Sequence, residues 1–328
     1  MRYIKLYILL VKKILLYNSG GGLGDSIQLI PLILSLQSHF NKSEIYYISS
    51  HNNHFSDKLK DFRLSLVDLD INIKYFGFRW WHLFAVKNRV KIKFDIIIDL
   101  QSKIRNTLIL KQLPHFKFYS STFNFYFCSE KKNYISTDDN VEMTLHNISA
   151  LIDKKISRKN FNIDCIPRDY LEIAKKILPD NNYIGISLTQ GNEYRKKTWP
   201  LENFLSLSKK ILSQNKKPVF FIESKYSDLI EKIKKEIPSA IFPEKNINNP
   251  SPLMVTALST RLENSVSIDN GVMHMIGLSG APMIVLFGPT NSLKFAPRHE
   301  KIKILDSKLI YKTKDISKIT VKDVLDKF

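Results

Sequence analysis

The chain has 328 residues, too many for one ordinary core and enough for two domains of roughly 150 residues each. Hydrophobic residues at 44% and aromatics at 11% exclude wholesale disorder. A net charge of +19 favours anionic partners such as nucleotide phosphates, acidic headgroups or phosphorylated glycans. The lysines run along the whole chain rather than in one arm, which argues against a dedicated nucleic-acid tail.

Residues 1–16 are apolar but are cut by Lys5 and by Lys12 and Lys13. The longest apolar run there is too short for a membrane span or a signal core. The segment is expected to lead into the first strand, with a weak contact to an anionic membrane surface as the sharper alternative. Cys128 and Cys165 form no CxxC pair and suggest no disulfide framework, so a reducing cytoplasm is the expected compartment.

From there, short β-branched runs alternate with amphipathic stretches, the pattern of parallel α/β lobes. The spacing predicts a strand over 14–17, a helix over 26–39, a strand over 44–48, a nearly all-apolar strand over 94–100 and a helix over 103–112. After the turn-forming run Pro179-Asp180-Asn181-Asn182 the alternation restarts, which divides the chain into lobes 1–180 and 181–328. The second half is predicted as a strand over 183–188, a helix over 201–213, a strand over 218–222, and helices over 227–236 and 253–260. A strand over 265–268, a helix over 272–279, a strand over 283–287 and a last helix over 321–328 follow.

Glycine is scarce, 11 in all, so its placement is informative. Gly20, Gly21, Gly22 and Gly24 follow the first strand, and Gly271, Gly277, Gly280 and Gly288 surround the strand–helix–strand unit near the end. Ligands of open α/β sheets bind beyond the carboxyl ends of the strands, so each half offers a half-site, and two half-sites make a cleft. The first loop lacks the third glycine of a dinucleotide fingerprint and the lysine of a P-loop. Its Asp25 is either a helix N-cap or a general base. In the second loop Asp269 and Asn270 supply capping chemistry before Gly271, and a helix start of this kind suits a diphosphate. His274, one turn in, is a further candidate donor to phosphate. The basic loop Tyr194-Arg195-Lys196-Lys197-Thr198-Trp199-Pro200 is either a phosphate clamp or solvated surface.

These pieces resemble glycosyltransferase family 9, the ADP-heptose:lipopolysaccharide heptosyltransferases. The resemblance rests on Gly22-Leu23-Gly24-Asp25 with Pro31, on Asp99-Leu100-Gln101 with Arg105, and on Lys197-Thr198-Trp199-Pro200. The fullest match is Asp269-Asn270-Gly271-Val272-Met273-His274, continuing to Pro282 and Phe287-Gly288-Pro289-Thr290. It implies an α/β protein of GT-B architecture, two facing Rossmann-like lobes with parallel sheets, the first binding the acceptor and the second the nucleotide sugar. It also implies inverting transfer without metal or cofactor. On that pattern Asp25 is the base that deprotonates the acceptor hydroxyl, and Gly22 and Gly24 form its acceptor-side loop. Lys197 stabilises the leaving diphosphate, and Asp269, Asn270, Gly271, His274 and Thr290 bind the donor.

The family usually carries Thr or Ser where Asn270 stands and a glycine where Ser102 stands, and the run from Thr189 to Glu193 departs from its phosphate loop. These differences bear on the donor more than on the fold. Glu223 and Asp228, beyond the strand over 218–222, are alternative ribose contacts. The implied partners are a nucleotide sugar and a lipid-linked or phosphorylated glycan, met in the cytoplasm, with peripheral contact at the inner membrane face as a further expectation. No specific nucleic acid is expected. A close runner-up keeps the chemistry and changes the nucleotide sugar or acceptor. The competing classes are a nicotinamide-dependent oxidoreductase, against which the broken fingerprint in both loops argues, and a basic nucleic-acid binder, which rests on the +19 charge alone.

Two lesser features complete the reading. His51 and His54 favour a surface loop over a metal pair. For Arg79-Trp80-Trp81-His82 and the aromatic stretch 116–127, core packing is preferred over stacking on sugar or lipid.

Overall fold

A computed structural model describes residues 11–87, 89–191, 194, 197–247 and 250–328. Residues 1–10, most of the segment considered for membrane contact, fall outside them, as do Arg195 and Lys196 of the basic loop.

The chain runs through β1 (Lys13–Asn18), α1 (Leu23–Ile27), α2 (Ile30–His39), β2 (Glu44–Ser49), β3 (Val67–Asp68) and α3 (His82–Ala85). Next come β4 (Phe94–Asp99), α4 (Ile104–Leu110), β5 (His115–Ser120), α5 (Asn140–Ile152) and α6 (Arg168–Ile177). It continues with β6 (Tyr183–Ser187), α7 (Leu201–Ser213), β7 (Lys217–Phe220), α8 (Ser227–Glu236), α9 (Pro252–Ser259) and β8 (Leu262–Ile268). Last are α10 (Gly271–Ser279), β9 (Met283–Phe287), α11 (Ser292–Phe295), β10 (Ile302–Asp306), α12 (Ser307–Ile310) and α13 (Val321–Leu325).

The helix expected over 26–39 is two helices. Pro31 cannot donate a backbone hydrogen bond, and it sits where a helix starts, so α2 begins afresh after the break at Gln28 and Leu29. Strands β3, β5 and β10 and helix α5 lie where no element was predicted.

Two compact units result, one formed by residues up to 21 with 29–159, the other by 22–28 with 160–328. Helix α6, expected in the first lobe, groups with the second. It packs on α9, and Arg261 at the start of β8 donates to the carbonyls of Leu178, Pro179 and Asp180 at its end.

The first unit is a five-stranded parallel sheet in the order β3-β2-β1-β4-β5. Strands β1 and β4 are central and buried on both faces, which is why they are almost wholly apolar. The Asp95 carboxylate accepts from the backbone N–H groups of Lys12 and Lys13, at 2.7 and 2.9 Å, and so sets the entry of β1 beside β4. At the far end Asp99 is buried and accepts from Thr107 Oγ1, Ser120 Oγ and the Gln101 N–H, tying together the ends of β4, β5 and α4. Its burial raises the carboxyl pKa.

The aromatic runs expected in the core divide. Phe118 and Tyr119 are buried, but Trp80, Trp81, Phe84, Phe116, Phe123 and Tyr126 are exposed.

The second unit is also a five-stranded parallel sheet, ordered β10-β9-β8-β6-β7. Counted within the unit this is the 2-1-3-4-5 doubly wound order, whose switch point falls where the first strand, β6, meets the third, β8. Trp199 is fully buried, packs edge-on against Phe204 at 4.8 Å and donates its indole N–H to the Ile319 carbonyl at 2.8 Å. It anchors the loop that leads into α7 two residues after Lys197.

Gly77 makes the clearest single demand on the backbone of the first unit. Its φ is +89°, and a Cβ there would lie 2.0 Å from the Tyr17 hydroxyl oxygen. Gly77→Ala is therefore expected to lower stability by about 2–4 kcal/mol, from a strained backbone and overpacking together. Denaturant unfolding of the two proteins measures it, and an unchanged midpoint would refute the demand.

Candidate active site

The switch point of the second sheet is occupied by the residues singled out from the sequence. Beyond β6 the chain passes through Thr189 and Gln190, and beyond β8 through Asp269 and Asn270 into α10. Asn270 caps α10, accepting the Met273 N–H at 2.9 Å. Its two amide hydrogens go to Ser187 Oγ and to the Thr189 carbonyl, both at 2.8 Å. The side chain expected to face a phosphate is thus committed to joining the two loops, and the backbone N–H groups of the first turn are what the helix start offers a ligand.

Lys197 enters this site from the basic loop. Its backbone N–H donates to Gln190 Oε1 at 3.0 Å, and its ammonium donates to Asp269 Oδ2 at 2.5 Å. Both side chains are largely buried. A cation and a helix N-terminus therefore meet at one place, the arrangement that binds and stabilises a diphosphate.

His274 is buried in the first turns of α10, and burial holds its pKa well below the ordinary imidazole value, with Asp269 opposing that shift and Lys197 adding to it. The ring is neutral. Its Nε2 lies 3.0 Å from the Gln28 amide nitrogen, which can only donate, so Nε2 accepts and Nδ1 carries the proton.

Gln28 ends a segment that sequence reasoning assigned to the other lobe. Residues 22–28 group with the second unit, and α1 packs on α10. A Cβ on Gly24 would stand 3.1 Å from His274 Cδ2 and 3.5 Å from Gly271 Cα. Gly24 is what lets the two helices approach this closely. Asp25 lies in α1, exposed, its carboxylate folded back over Gly22. So Gly22, Gly24 and Asp25 share a unit with Lys197, Asp269, Asn270, Gly271 and His274.

The remaining candidates are spread further along the same carboxyl edge. Glu223, past β7, pairs with Lys225 at 2.7 Å, and Asp228 in the first turn of α8 accepts from Ser227 at 3.2 Å. Thr290, past β9, bonds through its carbonyl to the Lys308 ammonium, while its hydroxyl is buried without a partner among the described residues. No described hydrogen bond joins Thr290 to the Lys197–Asp269 pair. In the first unit His54 Nε2 contacts the Gly21 carbonyl at 3.2 Å. Among the described residues no three of His, Cys, Asp and Glu are grouped to hold a metal, and no helix is long and apolar enough to cross a membrane.

Glu244 is the residue sequence reasoning missed. It is buried in a short helical turn after the bridge to β7, and burial, with the Glu223 charge beside it, raises its pKa to about 7. Nothing in the run Pro243-Glu244-Lys245 marks it, because the charges beside it, Glu223 and Lys225, come from the separate segment after β7.

A profile of Glycosyltransferase family 9 (heptosyltransferase) matches residues 83–324. The chain belongs to this family. The match begins beyond Asp25, so the first glycine loop lies outside it. Among solved structures, a family 9 glycosyl transferase of Veillonella parvula is 19% identical and superposes with a TM-score of 0.70, covering 96% of this chain and 95% of that one. The E. coli heptosyltransferase WaaC with ADP gives 0.68 at 12% identity, covering 96% and 98%. E. coli ADP-heptose lps heptosyltransferase II gives 0.64 at 14%, covering 96% and 97%. No curated protein sequence matches. At these identities the structures establish the GT-B type of α/β fold, and the family establishes a glycosyltransferase rather than an oxidoreductase.

The shift of Glu244 makes a stability prediction for the transferase. A carboxyl whose folded pKa is raised favours folding while protonated, and that contribution is lost as pH rises from the unfolded value through about 7. Glu244→Gln keeps the neutral shape at every pH. It is expected to raise the Tm at about pH 8 and leave it nearly unchanged at about pH 4, as read by thermal scans at both. Equal shifts at the two pH values would show that Glu244 is not held protonated.

Proposed function

We propose that this family 9 enzyme transfers heptose from ADP-heptose to a lipopolysaccharide-core or related glycan acceptor, with inversion at the anomeric carbon. The observation that carries the reading is the Lys197 ammonium held beside the α10 N-terminus at the switch point of the second sheet. The donor diphosphate binds there, its charge met by Lys197 and by the first-turn N–H groups. As the anomeric C–O bond breaks, negative charge grows on the leaving phosphate, and the same groups stabilise it because they are already in place.

Asp25 takes the proton from the acceptor hydroxyl as its oxygen attacks the opposite face of the sugar. It is exposed, and α1 packs directly on α10, which supports a base carried on the unit that holds the leaving group. Lysine and helix dipole together balance the leaving charge, so the reaction runs without a divalent ion. Glu223 and Asp228, past β7, are the candidates for the ribose. Thr290 belongs to the same donor edge. The acceptor is a lipid-linked or phosphorylated glycan reached at the cytoplasmic side of the membrane, consistent with a charge of +19.

A second reading keeps the chemistry and changes the nucleotide sugar. Asn270 favours it, because its amide is committed to Ser187 and Thr189 and leaves the phosphates to backbone groups alone.

Calorimetry with ADP, UDP and GDP, followed by turnover with the matching sugars, separates the two. Tighter binding of ADP and transfer from ADP-heptose are expected; preference for UDP or GDP selects the second reading. Asp25→Asn should bind the nucleotide normally and lose about 10²–10⁴-fold in kcat. Lys197→Ala should lose roughly 10²–10³-fold in kcat as well as donor affinity. An Asp25→Asn enzyme with unaltered kcat would remove Asp25 from the role of base.

A further inference from the structure

From Ile71 to Phe94 the chain carries six Lys and Arg and no Asp or Glu. Within that stretch Trp80 is 55% exposed, Trp81 56% and Phe84 79%, with Tyr75 and Phe78 also exposed. Large apolar side chains clustered at a surface mark an interaction site, and Trp with flanking cations is the composition that settles at a bilayer interface.

These side chains stand on a fixed base. The Gly77 N–H donates to His82 Nδ1 at 3.0 Å, and the Gly77 carbonyl accepts from Arg105 Nε at 2.7 Å. Phe76 is buried, packed edge-on against Tyr17, and stacks on the buried His82 ring. Helix α3 then packs on α4. The buried half of the segment holds it to β1 and α4; of the exposed rings, Trp81 packs edge-on against His82 and Phe78 lies against His51, which fixes where they stand.

A second set of aromatics lies on the same face of the sheet. Leu83, Ala85 and Phe127 pack against one core cluster, and Lys111 at the end of α4 donates to the Phe127 carbonyl. Beside Phe127, Phe123 and Tyr126 are 69% and 77% exposed. Phe123, Asn124 and Phe125 all have positive φ, a conformation bulky residues disfavour, and of these Phe125 is buried while Phe123 is exposed. From Leu100 to Ser129 there is again no Asp or Glu.

We propose that this face of the first unit, with Trp80, Trp81 and Phe84 at its centre and Lys74, Arg79 and Lys87 around them, docks on an anionic lipid bilayer. The occupant follows from the charges. All three cations are exposed and form no ion pair with a described carboxylate, so the face is complementary to a surface that is negative over a wide area. The aromatic side chains enter the headgroup region and the cations meet the lipid phosphates. Membrane contact is thereby assigned to folded sheet-one elements, and it holds whichever nucleotide sugar the enzyme uses.

The chain reports on this itself. Of its three tryptophans, Trp80 and Trp81 lie in the face and Trp199 is buried in the other unit. Intrinsic fluorescence and co-sedimentation are measured with vesicles of phosphatidylcholine alone and with added phosphatidylglycerol. Binding to the anionic vesicles, with a blue shift that high salt reverses, is expected. Trp80→Ser with Trp81→Ser should weaken partition by about tenfold or more, followed by sedimentation. Each of Lys74→Gln, Arg79→Gln and Lys87→Gln should weaken it roughly fivefold. Thermal unfolding of the variants confirms that they fold. Absence of vesicle binding overturns the proposal, as does binding that the substitutions leave unchanged. Equal binding to neutral vesicles, or quenching of Trp80 and Trp81 by a soluble oligosaccharide without vesicle binding, overturns it in favour of a non-ionic or sugar-stacking face.

Discussion

Lys197 and Asp269 hold each other in a largely buried place, and the loops at the switch point of the second sheet are organised around that pair. An ammonium withdrawn from water without a counter-charge would be costly, and so would the carboxylate. Together they let a cation wait at the start of α10, aimed and charged, before any ligand arrives. A diphosphate bound there, as proposed, needs little rearrangement of the site, because the loops on either side are already fixed. The Asn270 amide joins the end of β6 to the start of α10, Gln190 receives the Lys197 N–H, and buried Trp199 anchors the chain two residues on. The motif Lys-Thr-Trp-Pro is thus one device: the tryptophan provides the anchorage, the proline starts the helix, and the lysine provides the charge.

Much of this was legible in the sequence because the relevant signals are local. Strand β9 and helices α7 and α8 appear at the predicted residues, since β-branched runs and helical periodicity report directly on buried faces. The start of α10 was legible for the same reason: Asp269, Asn270 and Gly271 form a cap followed by a close-approach glycine within three residues. Strand β5 was not. Its alternation His115, Phe116, Lys117, Phe118 mixes exposed and buried aromatics, and composition alone made all of them look like core. Strand β10 interleaves lysine with isoleucine at a sheet edge and reads as polar surface.

The parts of the site that escaped are those made by long-range packing. Gln28 and His274 are 246 residues apart, and nothing in either run announces their contact. Gly24 was visible as a glycine but its purpose was not, because the His274 ring it admits comes from the far end of the chain. Asn270 shows the converse. Its place at the helix start was legible, while its amide contacts to Ser187 and Thr189 come from packing across β6 and β8. Residue type told where the side chain sits; only the packing told what it holds.

That long-range packing also bears on how the reaction is organised. Had Asp25 belonged to the unit of β1, its distance from Lys197 would depend on how two bodies meet. Grouped with α10 through Gly24 and Gln28, it keeps its place relative to Lys197 through contacts made inside one unit. In the proposed reaction the first unit carries a different burden, presenting the acceptor. For a lipid-borne acceptor, the proposed docking face on that unit reduces the search for the hydroxyl group to two dimensions. Charge is therefore used twice in this chain, once as a single buried lysine matched to a single carboxylate, and once as an open field with no acid in it. The first kind suits a defined anion. The second suits one that has no edges.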